Sequence, residues 1–130
     1  MNIVVDTSVI IAVITNEESK AKLVELTKGA NLVSPSSMHW EIGNAISAMF
    51  KRKRVDLNTA KHILEYYQQI PIRFIDVDLS VSLEISHQFK IYAYDAYFLA
   101  CAMREKSPLI SLDKNLLKIA KKLEIETREV

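Results

Sequence analysis

The sequence has little of several residue types that mark unusual protein classes. Its 130 residues include one cysteine, two glycines and three prolines, which excludes disulfide-rich, collagen-like and low-complexity proteins. Hydrophobic residues make up 49% of the chain and charged residues 25%, as in ordinary globular proteins. A chain of this length buries about two-thirds of its unfolded surface. We therefore expect a single domain that spans residues 1–130.

Long apolar runs and a secretory leader are also missing. No apolar run approaches the roughly 18 residues that a membrane span needs, and no basic segment with an apolar stretch behind it begins the chain. Cys101 has no partner for an internal disulfide and lies in an apolar segment, where a reduced cysteine packs well. These features predict a cytoplasmic protein that does not associate with membranes.

Charge of one sign is not in excess, because 17 Lys and Arg residues face 16 Asp and Glu residues. A nucleic-acid contact must therefore be local. The one run of four like charges is Lys51-Arg52-Lys53-Arg54. Two interpretations fit it equally: contacts to RNA phosphates, or a solvated helix end whose cations complement the helix dipole.

Short apolar runs alternate with helical patterns along the chain. Strands are predicted at residues 3–5, 32–33, 72–77 and 109–111, with an edge strand at 125–127. The pair Ser34-Pro35 predicts the start of the third helix, as N-cap and first helical residue. Parallel strands need helical crossovers, so this alternation predicts an α/β fold, a three-layer α/β/α sandwich around a short parallel sheet.

Four acids have positions that bear on function. Ligands of such sheets bind beyond the carboxyl ends of the strands, and both Asp6 and Asp113 directly follow predicted strands. Taken alone, Asp6 is explained equally well as a helix cap, and Asp113 is better explained so. Glu41 lies at the edge of an apolar stripe, where a surface glutamate paired with lysine is the simpler interpretation. Asp95 opens an apolar helix, where an unpaired carboxylate costs several kcal/mol, which favours a functional role.

Grouped together, these acids make a stronger case than any one of them. Three lie at strand-to-helix junctions or helix starts, which a parallel sheet can bring to one edge. Carboxylate oxygens suit hard cations such as Mg²⁺ and Mn²⁺, and without a cation the clustered charges would repel and raise one another's pKa. We therefore predict that the catalytic acids and metal ligands are Asp6, Glu41, Asp95 and Asp113.

The same residues lie in four short motifs that together span most of the chain. The motifs are Asp6-Thr7-Ser8, Glu41-x-x-Asn44, Tyr94-Asp95-Ala96 leading into Leu99-Ala100, and Ser111-x-Asp113. In this order and spacing they resemble the PIN-domain ribonucleases, particularly the VapC-type toxins of toxin–antitoxin pairs. Family members often have Gly at the position of Ala93 and Thr at that of Ser111, and neither difference removes a ligand.

The resemblance implies a metal-dependent endoribonuclease that hydrolyses RNA phosphodiester bonds, with an RNA substrate, a homodimer and a protein antitoxin. It also implies that Thr7, Ser8, Asn44 and Ser111 support the acids or orient the substrate. The alternative is a catalytically silent RNA- or protein-binding module of the same fold, against which the presence of all four acids argues. Trp40 lies roughly opposite the apolar stripe of its helix, so it faces either a partner or another part of the domain.

Overall fold

The computed structural model describes all 130 residues and contains one five-stranded sheet. Its strands are β1 Asn2–Val5, β2 Asn31–Pro35, β3 Ile72–Ile75, β4 Leu109–Ile110 and β5 Thr127–Arg128. The strand order is β3-β2-β1-β4-β5, and every pair is parallel. Val4 in the central strand aligns with Val33 of β2 on one side and with Leu109 of β4 on the other. The predicted parallel sheet is confirmed.

Seven helices cover the two faces of this sheet. They are α1 Thr7–Ile14, α2 Lys20–Thr27, α3 Met38–Lys51, α4 Leu57–Gln69, α5 Leu79–Phe89, α6 Ala93–Glu105 and α7 Lys114–Lys122. Alternate side chains of a strand point to opposite faces. Ile3 and Val5 accordingly pack with α1 to α4, whereas Val4 packs with α5 to α7. The three-layer α/β/α sandwich is confirmed.

The start predicted for the third helix was wrong. Pro35 is the last residue of β2 and aligns with Ile75 of β3, and α3 begins only at Met38. The Ser34 side chain is buried, and its hydroxyl donates to the Val5 carbonyl at 3.2 Å instead of capping a helix. A proline has an extended-compatible φ and needs no N–H where a strand ends, so it can finish β2.

The connections of the sheet create one switch point. The chain runs from β1 to β2 and β3 on one side, then crosses to β4 on the other side of β1. In open parallel sheets, the crevice at such a switch, beyond the carboxyl ends of the strands, is where ligands bind. The residues that follow β1 and β4 therefore meet at the position of greatest functional interest.

None of the seven helices combines the length and the apolar character that crossing a membrane requires.

Candidate active site

Asp6 lies at the junction between β1 and α1, with 5% of its surface exposed. Its Oδ1 accepts hydrogen bonds from the Ser8 hydroxyl at 2.6 Å and from the Val9 backbone N–H at 3.2 Å. Its Oδ2 accepts a hydrogen bond from the Ser111 hydroxyl. The predicted capping role is therefore present, but two serine hydroxyls add to it, and one of them comes from the far side of the switch point.

Ser111 connects the loops that follow β1 and β4. It is 1% exposed, and while its hydroxyl donates to Asp6, its oxygen accepts the Asp113 N–H at 2.9 Å. A second link runs from the Leu112 N–H to the Ser8 oxygen at 3.0 Å. These bonds hold the two loops at a fixed distance, so Asp6 has little freedom to move.

Burial raises the pKa of Asp6, and the negative charge of Asp113 adds to the rise. The hydrogen bonds from Ser111, Ser8 and Val9 oppose it, but the net shift is upward. A carboxylate withdrawn from water favours either a proton or a nearby cation. Asp6 therefore has the electrostatic character expected of a cation ligand.

Glu41 lies in the first turn of α3 and is half-buried. Its Oε2 is buried with no hydrogen-bond partner, and so is the Thr7 Oγ1. Burial, followed by the charges of Asp95 and Asp6, raises the pKa of Glu41 to about 7. Thr7 lies near enough to offset part of this rise, although it does not reach hydrogen-bonding geometry. No Lys or Arg pairs with Glu41, so the simple surface interpretation is not supported.

Asp95 lies in the first turn of α6 and is partly exposed. Burial raises its pKa, and the charge of Asp113 adds to the shift. No side chain forms an ion pair with Asp95. The helix behind it is apolar, with Ala96 and Leu99 among its buried residues, as the sequence predicted. The chain therefore supplies no cationic side chain that neutralises this carboxylate.

Asp113 differs from the other three acids because it is exposed. It caps α7, accepting the Asn115 N–H at 2.9 Å and the Leu116 N–H at 3.2 Å. Its charge nevertheless acts on Asp6 and Asp95. The capping interpretation of Asp113 is correct, and the side chain also contributes to the field of the cluster.

Each of the four acids thus acts electrostatically on at least one other, although no three His, Cys, Asp or Glu side chains lie close enough together to hold a metal ion without rearrangement. The unpaired Glu41 oxygen and the raised pKa values fit a hard divalent cation, which would neutralise the repulsion. Beside them lies an open cleft of about 340 Å³. It is lined by Thr7, Trp40, Glu41, Asn44, Ala45 and Tyr94.

The PIN domain family model matches residues 3–122. The chain belongs to the PIN-domain family. The resemblance predicted from the four motifs is confirmed, and membership supports a hydrolase of the nuclease type. No curated protein matches the chain significantly by sequence.

Solved structures show how closely the PIN fold is shared. PAE2754 from Pyrobaculum aerophilum has 19% identity and a TM-score of 0.75, over 100% of this chain and 92% of that one. VapBC2 from Rickettsia felis, bound to a DNA fragment from their promoter, has 15% identity and a TM-score of 0.72, over 99% and 98%. Mycobacterium tuberculosis VapC20, a sarcin-ricin loop cleaving toxin, has 14% identity and a TM-score of 0.62, over 89% and 93%. At these identities the likeness concerns the fold of this PIN domain.

The basic run Lys51–Arg54 lies apart from the acids of this PIN domain. All four residues are exposed, and Lys51 is the last residue of α3. At about 1.5 Å of rise per residue, Lys51 is about 15 Å along the helix axis from Glu41. Two aromatic residues of the cleft, Trp40 and Tyr94, were absent from the predicted site. The available signal was their sequence position, because each directly precedes one of the acids.

Proposed function

We propose that this PIN-domain protein is a metal-dependent endoribonuclease that uses Mg²⁺ or Mn²⁺ to hydrolyse RNA phosphodiester bonds. The observation that carries the proposal is the buried, unpaired Oε2 of Glu41, next to Asp6 and Asp95 at the switch point of the sheet. A buried carboxylate oxygen without a donor is costly, and a bound cation removes that cost. The biological role we propose is the toxin of a type II toxin–antitoxin pair.

Asp6, Glu41, Asp95 and Asp113 would hold the cation, since they are the acids whose charges act on one another. When bound, Mg²⁺ or Mn²⁺ supplies Lewis-acid polarisation of the phosphate and lowers the pKa of water. Without a bound cation Glu41 has a pKa of about 7 and can take up a proton near neutral pH, whereas a bound cation would favour its ionised form.

The polar neighbours take supporting roles in this proposal. Ser8 and Ser111 orient the Asp6 carboxylate by donating to its two oxygens. Thr7 and Asn44 line the cleft beside Glu41, where the exposed Asn44 amide can bond to ribose or phosphate oxygens and the buried Thr7 hydroxyl lies near the Glu41 carboxylate. We assign Lys51–Arg54 to phosphates that flank the cut, which such residues bind without reading sequence.

We also propose a protein antitoxin and a homodimer as partners. Antitoxin binding is supported by the shared fold of the VapBC2 complex from Rickettsia felis. The homodimer is supported by exposed apolar side chains on α5, where Leu79 and Leu83 are 62% and 59% exposed. Cys101 is a buried free thiol, which fits the cytoplasm as the site of action.

The proposed function is tested by incubating the protein with a mixed RNA panel in Mg²⁺, Mn²⁺ or EDTA. We expect cleavage in either metal, none in EDTA, and none by Asp6→Asn or Asp95→Asn. Asp56→Asn is the matched control, because it makes the same change at the exposed N-cap of α4. Cleavage in EDTA, or full activity in both site variants, contradicts the proposal. Binding of RNA without cleavage favours the silent module of the same fold.

A further inference from the structure

Two large aromatic side chains are exposed at the edge of the cleft that contains Glu41. Trp40 is 71% exposed and Tyr94 is 51% exposed, so neither contributes much to the core. They come from different helices, α3 and α6, and each directly precedes one of the acids, Glu41 and Asp95. Exposed aromatic rings in a binding cleft are common anchors for ligands.

The two rings also line a second groove that adjoins the cleft. This groove has a volume of about 410 Å³, and its lining includes Pro35, Leu79 and Tyr97 as well as Trp40 and Tyr94. Trp40 and Tyr94 therefore lie between the cleft that contains Glu41 and a second, mainly apolar groove. A ligand that spans them must present a polar, metal-compatible part and a flat apolar part.

Each ring packs against an aromatic neighbour. The Trp40 ring packs edge-to-face with His39 at a centroid distance of 6.1 Å, and the Tyr94 ring does so with Tyr97 at 5.9 Å. His39 is itself held by the Tyr67 hydroxyl at 2.9 Å. Such contacts restrain the rings while leaving much of their surface open, which lowers the entropy lost on binding.

A nucleotide has the chemistry that these surfaces require. Its base has an uncharged π-face that stacks on aromatic rings with little sequence preference, and its phosphate can approach acids only through a cation. Asn44 lines the polar wall of the same cleft, and its exposed amide can bond to a ribose or a base edge. An apolar protein segment would match Leu79 but would leave this polar wall unsatisfied.

We propose that Trp40 and Tyr94 form a stacking platform that binds one unpaired nucleobase of the RNA beside the acids. The assignment of a substrate rests on the proposed nuclease function, whereas the platform itself is a binding site that can be tested without cleavage. In a duplex the bases are stacked on one another and cannot reach the rings. Selectivity for unpaired RNA follows from this geometry.

Trp40 provides the direct readout, because it is the only tryptophan in the chain. The Asp6→Asn variant, in Mg²⁺, is titrated with a mixed-sequence ten-nucleotide RNA, either single-stranded or annealed to its complement. We expect saturable quenching of Trp40 fluorescence by the single strand and little quenching by the duplex. In the same background, Tyr94→Ala weakens binding about fivefold or more, and Tyr94→Phe restores it.

Tyr92→Ala is the matched control, since Tyr92 is 87% exposed but lines neither the cleft nor the groove. The platform is overturned if the single strand leaves Trp40 fluorescence unchanged, if duplex quenches equally, or if Tyr92→Ala weakens binding as much as Tyr94→Ala. It is also overturned if Trp40→Ala breaks a dimer while RNA affinity stays the same, which would assign the rings to an interface between copies.

The two proposals fail in different ways. Selective quenching without any cleavage by the wild-type protein would retain the platform and overturn the nuclease. Cleavage with an unchanged KM in Trp40→Ala and Tyr94→Ala would retain the nuclease and overturn the platform.

Discussion

The two sides of the acidic crevice satisfy their carboxylates very differently. On the β1–β4 side, both oxygens of Asp6 accept hydrogen bonds, and the donors come from the first turn of α1 and from the loop after β4. On the α3 side, Glu41 has a buried oxygen with no donor. Burial raises the pKa of both residues. The carboxylate of Asp6 therefore also holds the fold together, whereas the fold does not need the carboxylate of Glu41.

The difference follows from how the two residues are attached. Asp6 follows the central strand, and its bond to Ser111 crosses the switch point that the topology creates. Glu41 belongs to a helix, and that helix is anchored by Met38, Ile42 and Ile46 in the core. Since apolar packing already holds α3, the carboxylate of Glu41 is free to serve a ligand. We therefore expect replacement of either acid to lower activity, but only replacement of Asp6 to lower the stability of the protein.

The largest expected effect is on catalysis, where the two sides should agree. Asp6→Asn and Glu41→Gln should each lower the RNA cleavage rate by about 100-fold or more, because each removes one proposed cation ligand or proton acceptor. Single-turnover cleavage in saturating Mg²⁺ measures this loss. A Glu41→Gln variant with nearly full activity would limit the catalytic site to the Asp6 side, and the exposed-cap variant Asp56→Asn should remain active.

Stability should separate the two sides. Asp6→Ala removes the α1 cap and leaves the buried Ser111 hydroxyl without its acceptor, so we expect about 2 kcal/mol less free energy of unfolding. Glu41→Gln removes a buried charge that no donor satisfies, so without metal it should leave the free energy of unfolding unchanged or raised. Urea unfolding in EDTA measures both. Equal destabilisation by the two variants would contradict the view that Asp6 stabilises the fold and Glu41 does not.

The pH dependence of the free energy of unfolding should show the effect of Glu41 protonation. The folded pKa is about 7 and the ordinary value is 4.5, so the folded state binds more protons than the unfolded state between these values. Its contribution to stability is therefore complete below about pH 4.5 and disappears as pH rises through 7. Asp6 and Asp95 shift in the same direction.

We measure this prediction by urea unfolding in EDTA from pH 5 to 8, comparing the wild type with Glu41→Gln. The wild type should lose stability relative to the variant as pH increases, and saturating Mg²⁺ should weaken that trend by binding the ionised form. Parallel pH curves for the two proteins would show that Glu41 titrates near its ordinary value and would weaken its role as proton acceptor.

The fold class and the position of Asp6 could be predicted from the sequence, but the hydrogen bonds around the site could not. The alternation of apolar strands and helices was enough for the α/β/α class, and the positions of Asp6 and Asp113 after strands were visible directly. The Ser111–Asp6 bond joins residues 105 positions apart, so no local pattern could reveal it. Ser34-Pro35 was misread because the pair suits a helix start as well as a strand end, and only its pairing with β3 decides between them.

The features of the cleft were also beyond local patterns. The unpaired state of Glu41 depends on which side chains the fold leaves near its carboxylate, and the exposure of Trp40 depends on which parts of the chain pack near the first turn of α3. Helical periodicity could place Trp40 away from the apolar stripe but could not decide between solvent and a neighbouring helix. Long-range packing, not residue type, therefore determines which candidate residues meet.

The smallest expected effect concerns the basic run, which lies at the opposite end of α3 from Glu41. Replacing Lys51, Arg52, Lys53 and Arg54 together with alanine should weaken RNA binding without changing the single-turnover rate at saturating RNA, because these exposed residues are far from the acids. Each lost phosphate contact should reduce the slope of log affinity against log salt by about 0.7 for a single strand. An unchanged slope would assign the run to a solvated helix end, and RNA affinity would then depend on the cleft alone.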